Sequence, residues 1–235
     1  MTILGRATDP ARTALRVGGI AAGGLALTGS LAVLTYPGWR PWCLTWGATG
    51  DEPARMLPGD ELLERPDLVS TRAISITAPP SAVWPWLAQM GSGRGGLYTY
   101  DWIENLLGLH MHSVDVVLPQ FQEIKVGDAQ RLGQSGPILR VAAADPESAL
   151  VLRSDDGNWV WAFCLVSDGA ETRLISRNRI ATPGGSWPSR VLYRYVMEPG
   201  SLVMERKMLL GIKERAERPA QEPARDASPG DTRLP

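Results

Sequence analysis

Gly91–Gly108 reads GSGRGGLYTYDWIENLLG, and the role given to its glycines decides the fold. Gly91, Gly93 and Gly96 formally satisfy the GxGxxG dinucleotide pattern. That pattern works only with a strand before it and a helix N-terminus after it to receive the pyrophosphate. Here the order is reversed. Pro79, Pro80 and Ser81 make a helix start, and Val83, Trp84, Trp86, Leu87 and Met90 populate the helix that follows. Gly91 then ends that helix in the left-handed cap that glycine favours, and Leu97-Tyr98-Thr99-Tyr100 comes after. The glycines are therefore a stop and a hinge. Nucleotide binding is excluded.

Working outward, Val69–Thr77 alternates as a strand, and a second short helix runs from about Asp101 to Leu107, where Gly108 stops it. Beyond it the pattern becomes extended. Strands are predicted near Asp128–Leu132, Ile138–Ala143, Ala149–Arg153, Asn158–Val166 and Glu171–Ile180. Short turns such as Ser154-Asp-Asp-Gly157 and Ser167-Asp-Gly169 separate them, which makes the neighbours antiparallel. Ser201–Arg218 repeats apolar residues at helical spacing, with Pro199 and Gly200 just before it. One sheet and one long amphipathic helix must bury that helix against the concave face of the sheet. The predicted class is α+β: a curved antiparallel sheet wrapped around a long C-terminal helix, two short helices after the first strand, and a cavity between sheet and helix.

The ends read differently. Residues 1–16 form a basic N-terminal segment. Val17–Thr35 carries no charge over nineteen positions, a helix of roughly 28 Å against a hydrocarbon core of about 30 Å. Arg6, Arg12 and Arg16 precede it, and Tyr36, Trp39, Trp42 and Trp46 follow as an aromatic belt would. A retained single-pass transmembrane helix is favoured over a cleaved signal peptide, with the N-terminus cytoplasmic by the positive-inside bias. Residues 36–67, rich in proline, glycine and tryptophan, read as an ordered linker or an extension packed on the domain at 68–218. Residues 219–235 are polar and unpatterned, and are expected to be disordered.

Composition narrows the function classes. With 24 Lys+Arg against 25 Asp+Glu there is no basic footprint for nucleic acid. Two cysteines provide neither a disulfide framework nor a four-cysteine zinc site. Nine tryptophans against two phenylalanines suit either a broad apolar cavity or a tightly filled core. Trp159, Trp161 and Phe163 alternate with Val160, Ala162 and Cys164, so one strand face carries large rings. Those rings wall the cavity if that face is concave, and otherwise lie beneath the N-terminal extension. Arg173, Arg177 and Arg179 share a face that reads most simply as solvated surface, in reach of anionic lipid if the domain lies at a membrane.

The polar candidates gather in the opening stretch. Arg94 could pair with a ligand carboxylate or phosphate, or with an acidic neighbour that fixes the loop. Asp101, Glu104 and Asn105 can share one helix face, for acid–base work or for anchoring a ligand. Asp101 is also well placed as a cap, whereas Glu104 needs no such explanation. His110 and His112 begin a metal pattern but lack a third ligand, so no metal is expected; a histidine acting as acid or base fits better.

TRAISITAPPSAVWPWLAQMG (Thr71–Gly91), GRGGLYTYDWIENLLG, VVLPQFQEIKVGD (Val116–Asp128), TRLISRNR (Thr172–Arg179) and MERKMLLGIKERAE (Met204–Glu217) together resemble the SRPBCC superfamily. These are also called START-like or helix-grip proteins, and the likeness is to a bacterial group labelled polyketide cyclase/dehydrase-like. The resemblance covers about residues 46–217. Gln120 departs from it, standing where an acidic residue is expected. The family implies binding of hydrophobic ligands such as lipids, sterols or polyketides and does not imply one chemistry; no cofactor is expected. The resulting expectation is a membrane-anchored domain that binds or carries a hydrophobic small molecule. Arg94, Tyr98, Tyr100, Asp101, Glu104, Trp159 and Trp161 are its expected ligand contacts. A cyclase or dehydratase using Glu104, His110 or Tyr100 as acid–base groups is the alternative, and a ligandless interaction module is the third.

Overall fold

The structure is a computed structural model that describes residues 35–106, 108–133, 136–182 and 186–218. Residues 35–44 are helical (α1). Strand β1 (Leu68–Ile76) leads into helix α2 (Pro80–Ala88), and α3 (Asp101–Leu106) follows the glycine hinge. Strands β2 (Ala129–Arg131), β3 (Ile138–Asp145), β4 (Ala149–Ser154), β5 (Trp159–Asp168) and β6 (Glu171–Ile180) come next. The chain ends in α4 (Trp187–Leu192), a π-helical turn (Tyr193–Met197) and α5 (Glu198–Ala216). All six strands form one antiparallel sheet in the order β1-β6-β5-β4-β3-β2. α5 packs against β1 and α2. This is a helix-grip arrangement. The predicted membrane helix, Val17–Thr35, lies outside the described residues except for Thr35. Among the described residues no helix is long and apolar enough to cross a membrane. The tail from residue 219 also lies outside them.

The main core occupies the face of the sheet toward α5. Ile76, Val83, Leu87, Met90, Leu150, Leu152, Phe163, Leu174, Leu209 and Ile212 are buried there, and strand alternation supplies most of the sheet's share. α2 begins with Pro80 in its first turn, where the missing N–H costs nothing. Gly96 makes a close approach that a side chain would block. Its φ is +77°, and a Cβ would lie 2.6 Å from the His112 carbonyl oxygen.

The opposite face of the sheet is also covered, which strand alternation alone does not reveal. Leu57 packs with Ala73, Cys164 and Ile175, and Leu62 and Leu63 lie against Val151, Val160 and Ala162. Residues 46–63 are thus an extension laid across the sheet. The Ala73 N–H donates to the Trp46 carbonyl, so this segment also occupies the free edge of β1.

This coverage corrects the reading of the β6 arginines as solvated surface. Arg177 is 2% exposed. Its Nη1 pairs with Asp60 Oδ2 at 2.7 Å and donates to the Arg55 carbonyl, while Nε donates to Thr71 Oγ1 and Nη2 to the carbonyls of Glu52 and Pro53. Arg173 binds Glu52 at 2.8 Å, and Arg179 reaches Asp60 and the Leu63 carbonyl. The three guanidiniums are spent on holding the extension, leaving none as a lipid-facing patch.

A second difference concerns the C-terminal helix. Pro199-Gly200 reads as a boundary, yet helical structure runs from Trp187 through Ala216. Proline cannot donate to the fourth carbonyl back and its ring crowds that carbonyl. The π turn immediately before Pro199 accommodates this, with the Glu198 N–H donating to Tyr193 O.

Candidate functional site

Between the sheet and α5 lies a cavity of about 490 Å³. That volume is within the usual range for small-molecule sites, roughly 300–1,000 Å³. β1 contributes Leu68 and Ser70, β5 Trp159 and Trp161, and β6 Asn178 and Ile180. Leu97, Thr99, Glu104, Leu109 and Leu132 close one side. Tyr193 and Met197 of the π turn, with Ser201, Met204, Glu205 and Met208 of α5, form the facing wall. The large rings of β5 are therefore on the concave side. Trp159 and Trp161 stack 5.6 Å apart at 18°, and the small residues between them face the extension.

The cavity floor is a closed polar network. Strand register sets Arg72 of β1 opposite Ser176 of β6, and Ser70 opposite Asn178. Glu205 of α5 descends onto this row. Arg72 Nη1 donates to Glu205 Oε2, Ser176 Oγ donates to Glu205 Oε1 at 2.5 Å, and Asn178 Nδ2 reaches both oxygens at 3.2 and 3.3 Å. Arg72 is completed by the Cys43 carbonyl and Ser201 Oγ, each at 3.1 Å. The two wall tryptophans join in: Trp161 Nε1 donates to Ser176 Oγ at 2.9 Å and Trp159 Nε1 to Asn178 Oδ1 at 2.8 Å. Every group is satisfied, so the network fixes the rings that face a ligand.

Glu104 is different. It is 1% exposed, borders the cavity, and neither carboxyl oxygen has a hydrogen-bond partner. The neighbouring Thr99 Oγ1 lies close to this carboxyl but outside hydrogen-bonding geometry, and is likewise without a partner. Burial raises the Glu104 carboxyl above its ordinary range; the Thr99 hydroxyl opposes this, and the nearby Asp101 charge adds to it. The other lining carboxyls are engaged. Glu205 sits in the floor network, Glu198 accepts from Arg40 and Tyr36, and Asp156 accepts from Ser154 and Asn158.

The remaining sequence candidates lie outside the lining, each for a definable reason. Arg94 binds neither an acidic neighbour nor the cavity. Its Nη2 donates to the carbonyls of Ala88 and Phe121, its guanidinium covers the Phe121 ring at 4.4 Å, and burial lowers its pKa. Tyr98 is 1% exposed and pinned between helices: its hydroxyl donates to the Trp86 carbonyl at 3.0 Å, and Arg215 stacks on its ring at 4.8 Å. Leu97 and Thr99 line the cavity, whereas Tyr98, whose backbone is left-handed at φ +59°, lies behind it. Tyr100 is half-buried, with Lys207 at 6.0 Å from its ring. Asp101 accepts from the backbone N–H and hydroxyl of Ser113, tying α3 to the following segment. His110 and His112 are exposed, and His112 Nδ1 lies 3.5 Å from Asp101.

Sequence reasoning passed over Arg72, Ser176, Asn178 and Glu205. Inward-facing polar residues at alternate strand positions, Ser70 and Arg72 on β1 and Ser176 and Asn178 on β6, were the available signal. Gln89 was also passed over. It is buried and holds the hinge region, donating to the Val116 carbonyl and accepting from the Leu118 N–H at 2.8 Å.

No family model and no curated protein matches this sequence. Solved structures do. A protein of Mesorhizobium loti, MLL2253, is similar at 16% identity over 62% of this chain and 95% of its own, with a TM-score of 0.35. The KanY protein is similar at 14% identity over 64% and 98%, TM-score 0.42. A Polyketide_cyc-like protein of Corynebacterium glutamicum is similar at 16% identity over 62% and 88%, TM-score 0.37.

Proposed function

We propose that this protein binds or carries a hydrophobic small molecule in the cavity between its sheet and α5, and that the chain preceding residue 35 anchors it to a membrane. The cavity carries the first part: apolar and aromatic walls enclose about 490 Å³, and the few polar groups are held in fixed places. An enzymatic reading as a cyclase or dehydratase has Glu104 in its favour. Against it, the other lining carboxyls are engaged, and the Tyr193 phenol belongs to the facing wall, where burial raises it above its ordinary range. Binding without chemistry is therefore the stronger conclusion.

Support for the membrane comes from surface and sequence together. Tyr36 meets Tyr195 at 5.7 Å, and Arg40 pairs with Glu198 at 2.7 Å, so α1 docks on the start of α5. Trp42, Leu192, Val196 and Val203 are exposed on these elements. In the sequence, the uncharged run Val17–Thr35 leads directly into α1.

Full-length protein purified in mild detergent should retain an apolar molecule at close to one per chain, detected by extraction and mass spectrometry. A cavity-filling variant, Ser70→Trp, should lose it. Retention unchanged in S70W, or no retention and no uptake of Nile red by the wild type, overturns the binding reading. Extraction of the protein from membranes by carbonate alone overturns the anchor.

A further inference from the structure

Five buried side-chain polar atoms lack a partner among the described residues, and three of them, Thr99 Oγ1 and both Glu104 oxygens, border the cavity. An unpaired buried polar group is costly, and native structures seldom keep one without a use. Here the two residues make one polar spot on an otherwise apolar side formed by Leu97, Leu109 and Leu132. The other polar region, the Glu205 floor, already uses its donors and acceptors internally.

The spot also limits what can occupy it. No lysine or arginine side chain lines the cavity among the described residues, so an anionic head would meet Glu104 with no cation to offset it. A cationic head would need a buried ion pair closed by one carboxylate and one hydroxyl, a poor exchange for its lost hydration. An uncharged acceptor meets neither penalty, because burial without a cation favours the protonated carboxyl, which can donate.

We propose that the ligand is an uncharged apolar molecule carrying a carbonyl, as in a ketone or ester, whose oxygen accepts a hydrogen bond from the Glu104 carboxyl with the Thr99 hydroxyl beside it. This rests on the cavity being a hydrophobic-ligand site and adds the chemistry of the head group. Glu104 is a binding residue in this proposal; no bond is made or broken.

The test uses full-length protein in detergent, with Nile red displaced by 2-tridecanone, tridecane, tridecanoate or tridecylamine. Common detergent fixes partitioning, so each preference is compared between wild type and variants. One good hydrogen bond makes the wild-type preference for ketone over alkane about tenfold larger than in Glu104→Leu. Thr99→Val, a smaller change, should reduce the preference in part, and Glu104→Gln, whose amide still donates, should keep most of it. Equal preferences in wild type and both E104L and T99V overturn the proposal and leave the cavity reading intact. So does tighter wild-type binding of tridecanoate or tridecylamine than of the ketone. Failure of every probe to displace the dye, with dye uptake unchanged in S70W, overturns the cavity reading itself.

Discussion

Replacing Glu205 with alanine tests the floor network directly. Arg72 is 0% exposed and Glu205 6%. Removing the carboxylate leaves the guanidinium with the Cys43 carbonyl and Ser201 Oγ, and takes the acceptor from Ser176 Oγ and Asn178 Nδ2. Breaking a buried pair from one side costs about 3–5 kcal/mol, chiefly because the remaining charge stays buried. Glu205 borders the cavity, where water can reach Arg72 once the carboxylate is gone, so the lower end applies, about 3 kcal/mol. With a urea m-value of about 2 kcal/mol per molar, the midpoint should fall by about 1.5 M. The double variant Arg72→Met/Glu205→Leu removes both charges and should recover to within about 1.5 kcal/mol of wild type, a coupling well above 1 kcal/mol. Equilibrium urea unfolding followed by tryptophan fluorescence reads both quantities. A loss below about 1 kcal/mol for E205A, or a double variant less stable than the single, would refute the account of Glu205 as the hub of a buried charge network.

Two other variants separate competing effects. Gly211→Ala lies within α5, where alanine normally gains about 1 kcal/mol of helix propensity. Its Cβ would sit 2.6 Å from the Tyr98 carbonyl oxygen, so net destabilisation of about 1–3 kcal/mol is expected in the same urea assay, and a stabilised variant would mean the loop and α5 are not in contact. Glu104→Gln changes the pH profile instead. The folded-state carboxyl lies above its ordinary value of 4.5, so the folded chain holds that proton more tightly than the unfolded chain does. Its stabilising contribution is complete at pH below the ordinary value and is lost as pH rises through the raised one. Wild-type stability relative to E104Q should therefore be higher at pH 4 than at pH 8 by urea unfolding, and a flat or rising difference would contradict the burial of Glu104.

Much of the architecture was legible because its signals are local. β6 could be bounded from Glu171 to Ile180 by its alternation and flanking turns, and α2 by Pro79-Pro80-Ser81. Placing the glycines after a helix removed the nucleotide fold, although α2 ends at Ala88 with Gln89 as its cap, and Gly91, at φ +121°, belongs to the hinge beyond it. What was not legible depends on elements that meet only in three dimensions. Alternation puts Arg173, Arg177 and Arg179 on one face but does not say that residues 46–63 cover it. Glu205 sits among other charges on an amphipathic helix and looks like solvent-facing surface, although it lies over Arg72. Arg94 and Tyr98 attracted notice beside the glycines, yet Arg94 Nη2 and the Tyr98 hydroxyl are spent on carbonyls of neighbouring segments. Glu104 stood out because no cap needed it, and it is the residue of that stretch whose carboxyl the fold leaves unmatched.

The extension has a mechanical consequence. From residue 46 to β1 the chain is fastened to the sheet by Arg173, Arg177 and Arg179, and α1 is fastened to α5 by Tyr36 and Arg40. No slack loop intervenes between the start of α1 and the walls of the cavity. A pull or a tilt applied at residue 35 is therefore passed to the whole domain as to a bracket. α1 and the walls of the cavity thus keep one fixed relation to each other.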